Sequence, residues 1–203
     1  TLFPYTTLFR SHYLRQGDPR GLGHAVLKAR QHVGGEPFAV LLGDDLIDEQ
    51  ETLLADMIRV SAEHGASVVA LMEVAPQDAQ KFGVATVEAI PGHDGVVRVL
   101  DLVEKPAPGT QRSNLAVIGR YVLQPEIFNI LETQERGAGG EIQLTDAMIG
   151  LSKSQAFYGL EFEGERHDCG SRAGFLRANI AFGMARADLR DGLRADMQKY
   201  LKA

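Results

Sequence analysis

The stretches that could do chemistry are a pair of aspartates, a Glu-Lys pair, two glycine-rich loops and a polar cluster near the end. Gly43-Asp44-Asp45 closes a short apolar run. A carboxylate at the carboxyl end of a buried strand stands where open α/β sheets bind ligands. It can hold Mg2+, which takes oxygen ligands and bridges phosphates; equally, either aspartate can cap the segment that follows. Arg166-His167-Asp168-Cys169-Gly170 offers Asp168 as a second metal carboxylate, or as a cap for a helix starting at Ser171. His167 reads as a packing or surface residue and Cys169 as a small buried hydrophobe rather than a nucleophile. Neither a Gly-x-Ser-x-Gly elbow nor a Cys–His–Asn order is present, so covalent catalysis has no support in the sequence.

In Val103-Glu104-Lys105-Pro106, Glu104 could accept hydrogen bonds from sugar hydroxyls and Lys105 could neutralise a phosphate. If the strand before them continues, the two side chains point to opposite faces. Taken alone, such a pair is usually surface decoration. Gln16-Gly-Asp-Pro-Arg-Gly-Leu-Gly-His-Ala25 places three glycines just before a helix. Glycine lets a backbone approach a ligand closely, and helix N-termini favour anions or polar ring atoms, but a plain loop accounts for the spacing too. In Gly137-Ala-Gly-Gly-Glu-Ile-Gln-Leu-Thr-Asp146, Glu141 sits in a helix's first turn, favourable against the helix dipole. A glycine hinge explains most of this stretch without any function.

These stretches need a scaffold, and the apolar pattern predicts one. Leu22 to Val33 has helical spacing and stops at Gly34-Gly35. Pro37 to Leu42 is a nearly continuous apolar run, which fits a strand buried on both faces of a parallel sheet. Glu51–His64 reads as a helix and Ala66–Val74 as a second apolar strand. Helix, strand, helix, strand indicates α/β architecture. Phe82–Glu88, Val96–Val103, Asn114–Leu123 and Ala156–Phe162 read as further strands, with a turn-rich stretch at Pro91–Gly95. Pro125–Leu131 and Glu141–Leu151 read as short helices, and Ser171–Lys202 as mostly helical, loosened by Gly174, Gly183 and Gly192.

Composition narrows the class. The 203 residues are 44% apolar and 24% charged, as in an ordinary globular protein. Lys and Arg number 21 against 27 Asp and Glu, a formal charge of −6, which argues against a nucleic-acid-coating protein. A phosphorylated small molecule remains open, because a metal, backbone N–H groups and one or two cations suffice to hold it. The single cysteine excludes an internal disulfide and a cysteine-based zinc site, so a reducing cytoplasm is expected. No apolar run reaches the roughly 20 residues that span a bilayer, and no membrane partner is expected.

Together and in this order, the motifs resemble one family, the bacterial UTP–glucose-1-phosphate uridylyltransferases. The matching stretches are Arg15–Ala25, Phe38–Asp45, Lys81–Val84, Val103–Pro106, Ser113–Tyr121, Gly137–Asp146 and Asp168–Gly170, from about residue 12 to about residue 178. The Glu-Lys-Pro and Gln-Gly elements are shared among sugar-nucleotide pyrophosphorylases, whereas Gly-Leu-Gly-His-Ala and Gly-Gly-Glu-Ile-Gln-Leu-Thr-Asp are more specific to the UTP–glucose branch. The resemblance implies a Rossmann-like α/β nucleotide-diphospho-sugar transferase fold, with a mixed, mostly parallel sheet and C-terminal helices. It implies a reaction between UTP and glucose 1-phosphate that yields UDP-glucose and pyrophosphate with Mg2+.

Carried over by motif, Gln16 reads the uracil edge and Gly21 admits the base close to the backbone. Asp44 and Asp168 ligate Mg2+, Gly83 offers its backbone to a glucose hydroxyl, Glu104 accepts from the sugar and Lys105 meets the glucose phosphate. Asp45, Asn114 and Glu141 are implied as supports around these residues. The C-terminal helices resemble the family's subunit-contact region, so a homo-oligomer is expected. The family's Gly-Thr-Arg loop with its following Lys, which grips the triphosphate, lies upstream of all these stretches and has no match in Thr1–Ser11. That segment reads instead like a translated sequencing adaptor. A non-native scar is therefore expected at 1–11, a partial nucleotidyltransferase domain at 12–170 and a helical extension at 171–203. Impaired triphosphate binding and an exposed apolar sheet edge are expected to follow. A thymidylyltransferase or other hexose-1-phosphate nucleotidylyltransferase, and a non-catalytic sugar-nucleotide-binding module, are the alternatives.

Overall fold

The computed structural model describes residues 11–47 and 52–201. The scar expected at 1–11 lies outside them except for Ser11, as do the expected helix ends at Glu51 and Lys202. In chain order the elements are α1 (Leu22–Lys28), α2 (Arg30–Val33), β1 (Phe38–Leu41), β2 (Asp45–Ile47), α3 (Leu53–His64), β3 (Ser67–Glu73), β4 (Gly83–Ala89), β5 (Val96–Glu104), β6 (Leu115–Leu123), α4 (Ile127–Thr133), α5 (Leu144–Ser152), β7 (Phe157–Glu161), β8 (Arg166–Asp168), α6 (Arg172–Ala185) and α7 (Ala187–Leu201). Short 3-10 turns occupy Ala79–Lys81 and Ala138–Gly140.

Six strands form one sheet in the order β1-β6-β3-β7-β5-β4, and β4 also pairs with the start of β6. The sheet is mixed, as expected, but it is mostly antiparallel rather than mostly parallel. Among the described residues only β3 and β7 run parallel; β1–β6, β3–β6, β4–β5, β4–β6 and β5–β7 are antiparallel. A continuous apolar run reports burial on both faces, not strand direction, and here helices supply that burial. Alternate residues of β3 feed two cores: Val69 and Leu71 pack with α4 and α5, while Val68 and Ala70 pack with Met57 and Val60 of α3. All four are fully buried.

β1 also departs from expectation. It is not buried on both faces of a parallel sheet. Phe38 and Val40 face the core, the Phe38 ring stacking on Phe128 at 4.9 Å, while Ala39 and Leu41 are exposed. The expected helix over 22–33 breaks at Ala29 into α1 and α2. The C-terminal region is helical as expected, but it divides at Arg186 rather than at a glycine. There Arg190 of α7 donates to the carbonyls of Met184 and Ala185, satisfying the open end of α6.

Candidate active site

β2 and β8, each three residues long, make a separate antiparallel ribbon in which Asp45 lies opposite Asp168. Cys169 N–H donates to the Asp44 carbonyl at 2.7 Å, extending the pairing by one residue. This ribbon aims two exposed carboxylates at one spot. A Cβ built on Gly170 would lie 3.2 Å from Asp44 Oδ2 and 3.1 Å from Asp168 Oδ1. Asp168 does not cap α6; Ser171 does, its hydroxyl accepting from Gly174 N–H. Oxygen donors on two carboxylates fit Mg2+, which keeps waters and takes phosphate oxygens to complete its shell. Among the described residues no group of three or more His, Cys, Asp or Glu gathers as a denser metal cage. His167 is buried with its ring 5.5 Å from Phe182, a packing residue as expected. Cys169 is half-buried rather than fully so.

Asp45 has a different task from its neighbour. Its carboxylate is buried and accepts from Arg166 Nε at 2.8 and 2.9 Å, from Arg166 Nη2 at 2.7 Å, and from Gly119 N–H at 2.9 Å. The guanidinium also lies over the Phe82 ring, 5.2 Å from its centre. The pair ties β2 to β8 and to β6, setting the frame from which Asp44 and Asp168 project. Arg166 carried no role in the sequence reading; its only signal is its place two residues before Asp168.

Asp45 and Arg166 form one wall of a pocket whose other walls include Gly83, Glu104, Tyr121 and Thr145. Gly83 and Glu104 are register partners on β4 and β5. A Cβ on Gly83 would come within 3.2 Å of both Glu104 Oε2 and Thr145 Oγ1, so a side chain there would fill the space between those acceptors. Thr145 is a site residue that sequence reasoning passed over, although it lies in the Gly137–Asp146 motif. Burial, with the nearby Glu104 and Asp45 carboxylates adding, pushes the Tyr121 phenol well above its ordinary range, so it stays protonated.

Lys105 does not point away from Glu104. β5 ends at Glu104, and Lys105 takes φ 46°, the left-handed region that non-glycine residues seldom adopt. That reversal brings Lys105 Nζ to 3.8 Å from Glu104 Oε1, on the same side, while Lys105 N–H donates to Phe82 O at 2.9 Å. Strain of this kind collects at functional sites.

The two most specific motifs dock on each other. Ile142 N–H donates to Arg20 O at 2.7 Å, and Gly23 N–H donates to Ile142 O at 2.8 Å. Gly21 has φ 106°, and a Cβ there would meet Glu141 Cβ at 2.8 Å and Ile142 O at 2.9 Å. Its glycine is thus required by the approach of the 141–142 backbone, whatever ligand also comes near. Gly21→Ala should therefore destabilise the fold by about 1–3 kcal/mol, read as a lower midpoint in urea unfolding; an unchanged midpoint would refute this packing argument. Glu141 is not in a helix's first turn as expected: it is extended, and α5 starts only at Leu144 after Gln143, because the 141–142 backbone packs against Gly21 and pairs with Arg20 and Gly23. Glu141 accepts from Gln143 Nε2 at 3.2 Å. Asn114 precedes β6, its carbonyl accepting from Val74 N–H, and stands outside the pocket walls. Gln16 is half-buried, its amide nitrogen held by Gly21 O and His24.

The profile of the nucleotidyl transferase family matches residues 3–183. The chain belongs to this family. Among nucleotidyl transferases of known function, a UTP–glucose-1-phosphate uridylyltransferase of Staphylococcus epidermidis is 44% identical over 190 residues, 94% of this chain and 65% of that protein. One from Bacillus subtilis is 42% identical over 191 residues, covering 94% and 64%. The chain thus spans a little under two thirds of the length of these relatives. A UDP-glucose pyrophosphorylase solved with UDP-glucose superposes with a TM-score of 0.81 at 41% identity, over 86% of this chain and 66% of that one. A UTP-bound enzyme from Acinetobacter baumannii gives 0.80 at 34%, over 91% and 64%. The α/β nucleotidyltransferase fold is shared with both.

Proposed function

We propose that this chain carries the sugar-nucleotide site of a UTP–glucose-1-phosphate uridylyltransferase, making UDP-glucose and pyrophosphate. The observation that carries the reading is the convergence of Asp44 and Asp168 at Gly170, each one residue or two from a wall of the Gly83–Glu104 pocket. The names of the relatives and the UDP-glucose and UTP held by the similar structures support the choice of substrates.

In the reaction an oxygen of glucose 1-phosphate attacks the α-phosphorus in line. The bond from that phosphorus to the bridging oxygen breaks, and pyrophosphate leaves with the electron pair. No protein nucleophile is needed, so catalysis is positioning and charge neutralisation. Asp44 and Asp168 would hold Mg2+, which when bound neutralises phosphate charge. Glu104 accepts from glucose hydroxyls beside Gly83, whose backbone offers a further contact. Lys105, turned to the Glu104 side, faces the glucose phosphate, and Gln16 reads the uracil edge. Asp45, Asn114 and Glu141 support these groups. A homo-oligomer through α6 fits the exposure of Phe175, Leu176 and Ile180 on that helix. No helix among the described residues is long and apolar enough to cross a membrane, and we place the enzyme in the cytoplasm without nucleic-acid partners.

Calorimetry tests the reading on the chain itself. UDP-glucose should bind in the presence of Mg2+, and both chelation and Asp44→Ala should weaken it. Binding that ignores both treatments would replace the enzyme reading with a binding-only module. Tighter binding of dTDP-glucose would move the chain to a thymidylyltransferase.

A further inference from the structure

The amide of Gln16 is a reading head whose polarity is fixed by two contacts. Its terminal nitrogen lies 2.9 Å from Gly21 O and 3.0 Å from His24 Nδ1. A backbone carbonyl can only accept, so the atom facing Gly21 must be the NH2 and not the amide oxygen. The same NH2 meets His24 Nδ1, and its second hydrogen goes there. Nδ1 must then carry a lone pair, leaving the imidazole proton on Nε2. His24 is buried in α1. Its desolvation lowers its pKa, with Lys28, Arg20 and Arg136 adding to the effect and Asp18 opposing it, so the neutral ring that this arrangement needs is the favoured one.

With both N–H groups spent inside the loop, Gln16 can present only its Oε1 acceptor to a ligand. We infer that His24 is a positioning residue for base selectivity: by accepting from Gln16 it locks the amide so that only an acceptor faces the base. This rests on the assignment of Gln16 to the base edge above. A base with a ring N–H on that edge, uracil or thymine, satisfies Oε1. The bare N3 of cytosine would set lone pair against lone pair. Without His24 the amide can turn over and offer its NH2 to a ring acceptor, and selectivity should fall.

The test compares UDP-glucose with CDP-glucose by calorimetry on the chain. The unaltered chain should prefer UDP-glucose. His24→Leu should shrink that preference by about fivefold, the worth of one hydrogen bond near 1 kcal/mol. His24→Asn should keep it, because Asn Oδ1 stands where Nδ1 did and also accepts. An unchanged preference in His24→Leu, or an equal loss in both variants, would overturn the role. If His24→Leu does not fold, 15N NMR of the unaltered protein decides: Nδ1 should resonate as an unprotonated nitrogen and Nε2 as protonated, and the opposite tautomer overturns the inference. Absence of any UDP-glucose binding by the unaltered chain with the expected tautomer present would instead sink the assignment of Gln16, and this inference with it.

Discussion

Replacing Arg166 with methionine should lower stability by about 3–5 kcal/mol, the range found when one partner of a buried ion pair is removed. The side chains of Arg166 and Asp45 are 13% and 5% exposed, so the carboxylate left behind has little water to replace the guanidinium. Gly119 N–H would still donate to it, but one neutral donor does not compensate a buried charge. The loss should show as an earlier urea midpoint with an unchanged slope. Adding Asp45→Asn to the methionine variant should recover much of it, because the amide keeps an acceptor for Gly119 and carries no charge. The sign of that second step separates an unpaired charge from lost packing: if the double variant is less stable than R166M, the cost came from the arginine's stem and its contact with Phe82. Equal stability of R166M and the unaltered protein would mean that the bridge does not hold β2 to β8.

The same ribbon marks the boundary of what could be read from the sequence. β3, α3 and β6 were legible because each is long enough for apolar periodicity to show. β2 and β8 are three residues each, too short for any period, and only their pairing gives them meaning. Strand direction was illegible for a related reason: Val68 to Leu71 looks the same whichever way its neighbours run, once α3 lies on one side and α4 and α5 on the other. At the site, order of motifs singled out Asp44, Asp168, Glu104 and Lys105 as candidates, but not how they are held. That depends on a left-handed Lys105, which residue type would disfavour, and on Arg166, which contacts a residue 121 positions away. Gly21 shows the converse: the sequence singles out the glycine for a ligand's approach, while the packing partner that requires it, the 141–142 backbone, belongs to another motif altogether.

Asp44→Asn should weaken binding of Mn2+, used as a probe for Mg2+, by about a hundredfold or more. Loss of a group that merely supports a metal ligand already costs roughly 10–100-fold, and Asp44 is assigned as a ligand itself. The amide keeps the shape of the side chain but removes the charge on which a hard cation depends. Stability in the absence of metal should move the other way. Two carboxylates converging on Gly170 repel when nothing lies between them, so Asp44→Asn should hold or raise the metal-free melting temperature while flattening its rise on adding Mn2+. A purely structural aspartate would lose stability with and without metal alike. Mn2+ affinity equal to that of the unaltered chain would remove Asp44 from the metal site. A variant that loses both metal affinity and metal-free stability would show that Asp44 also holds the ribbon, a task that the geometry gives to Asp45.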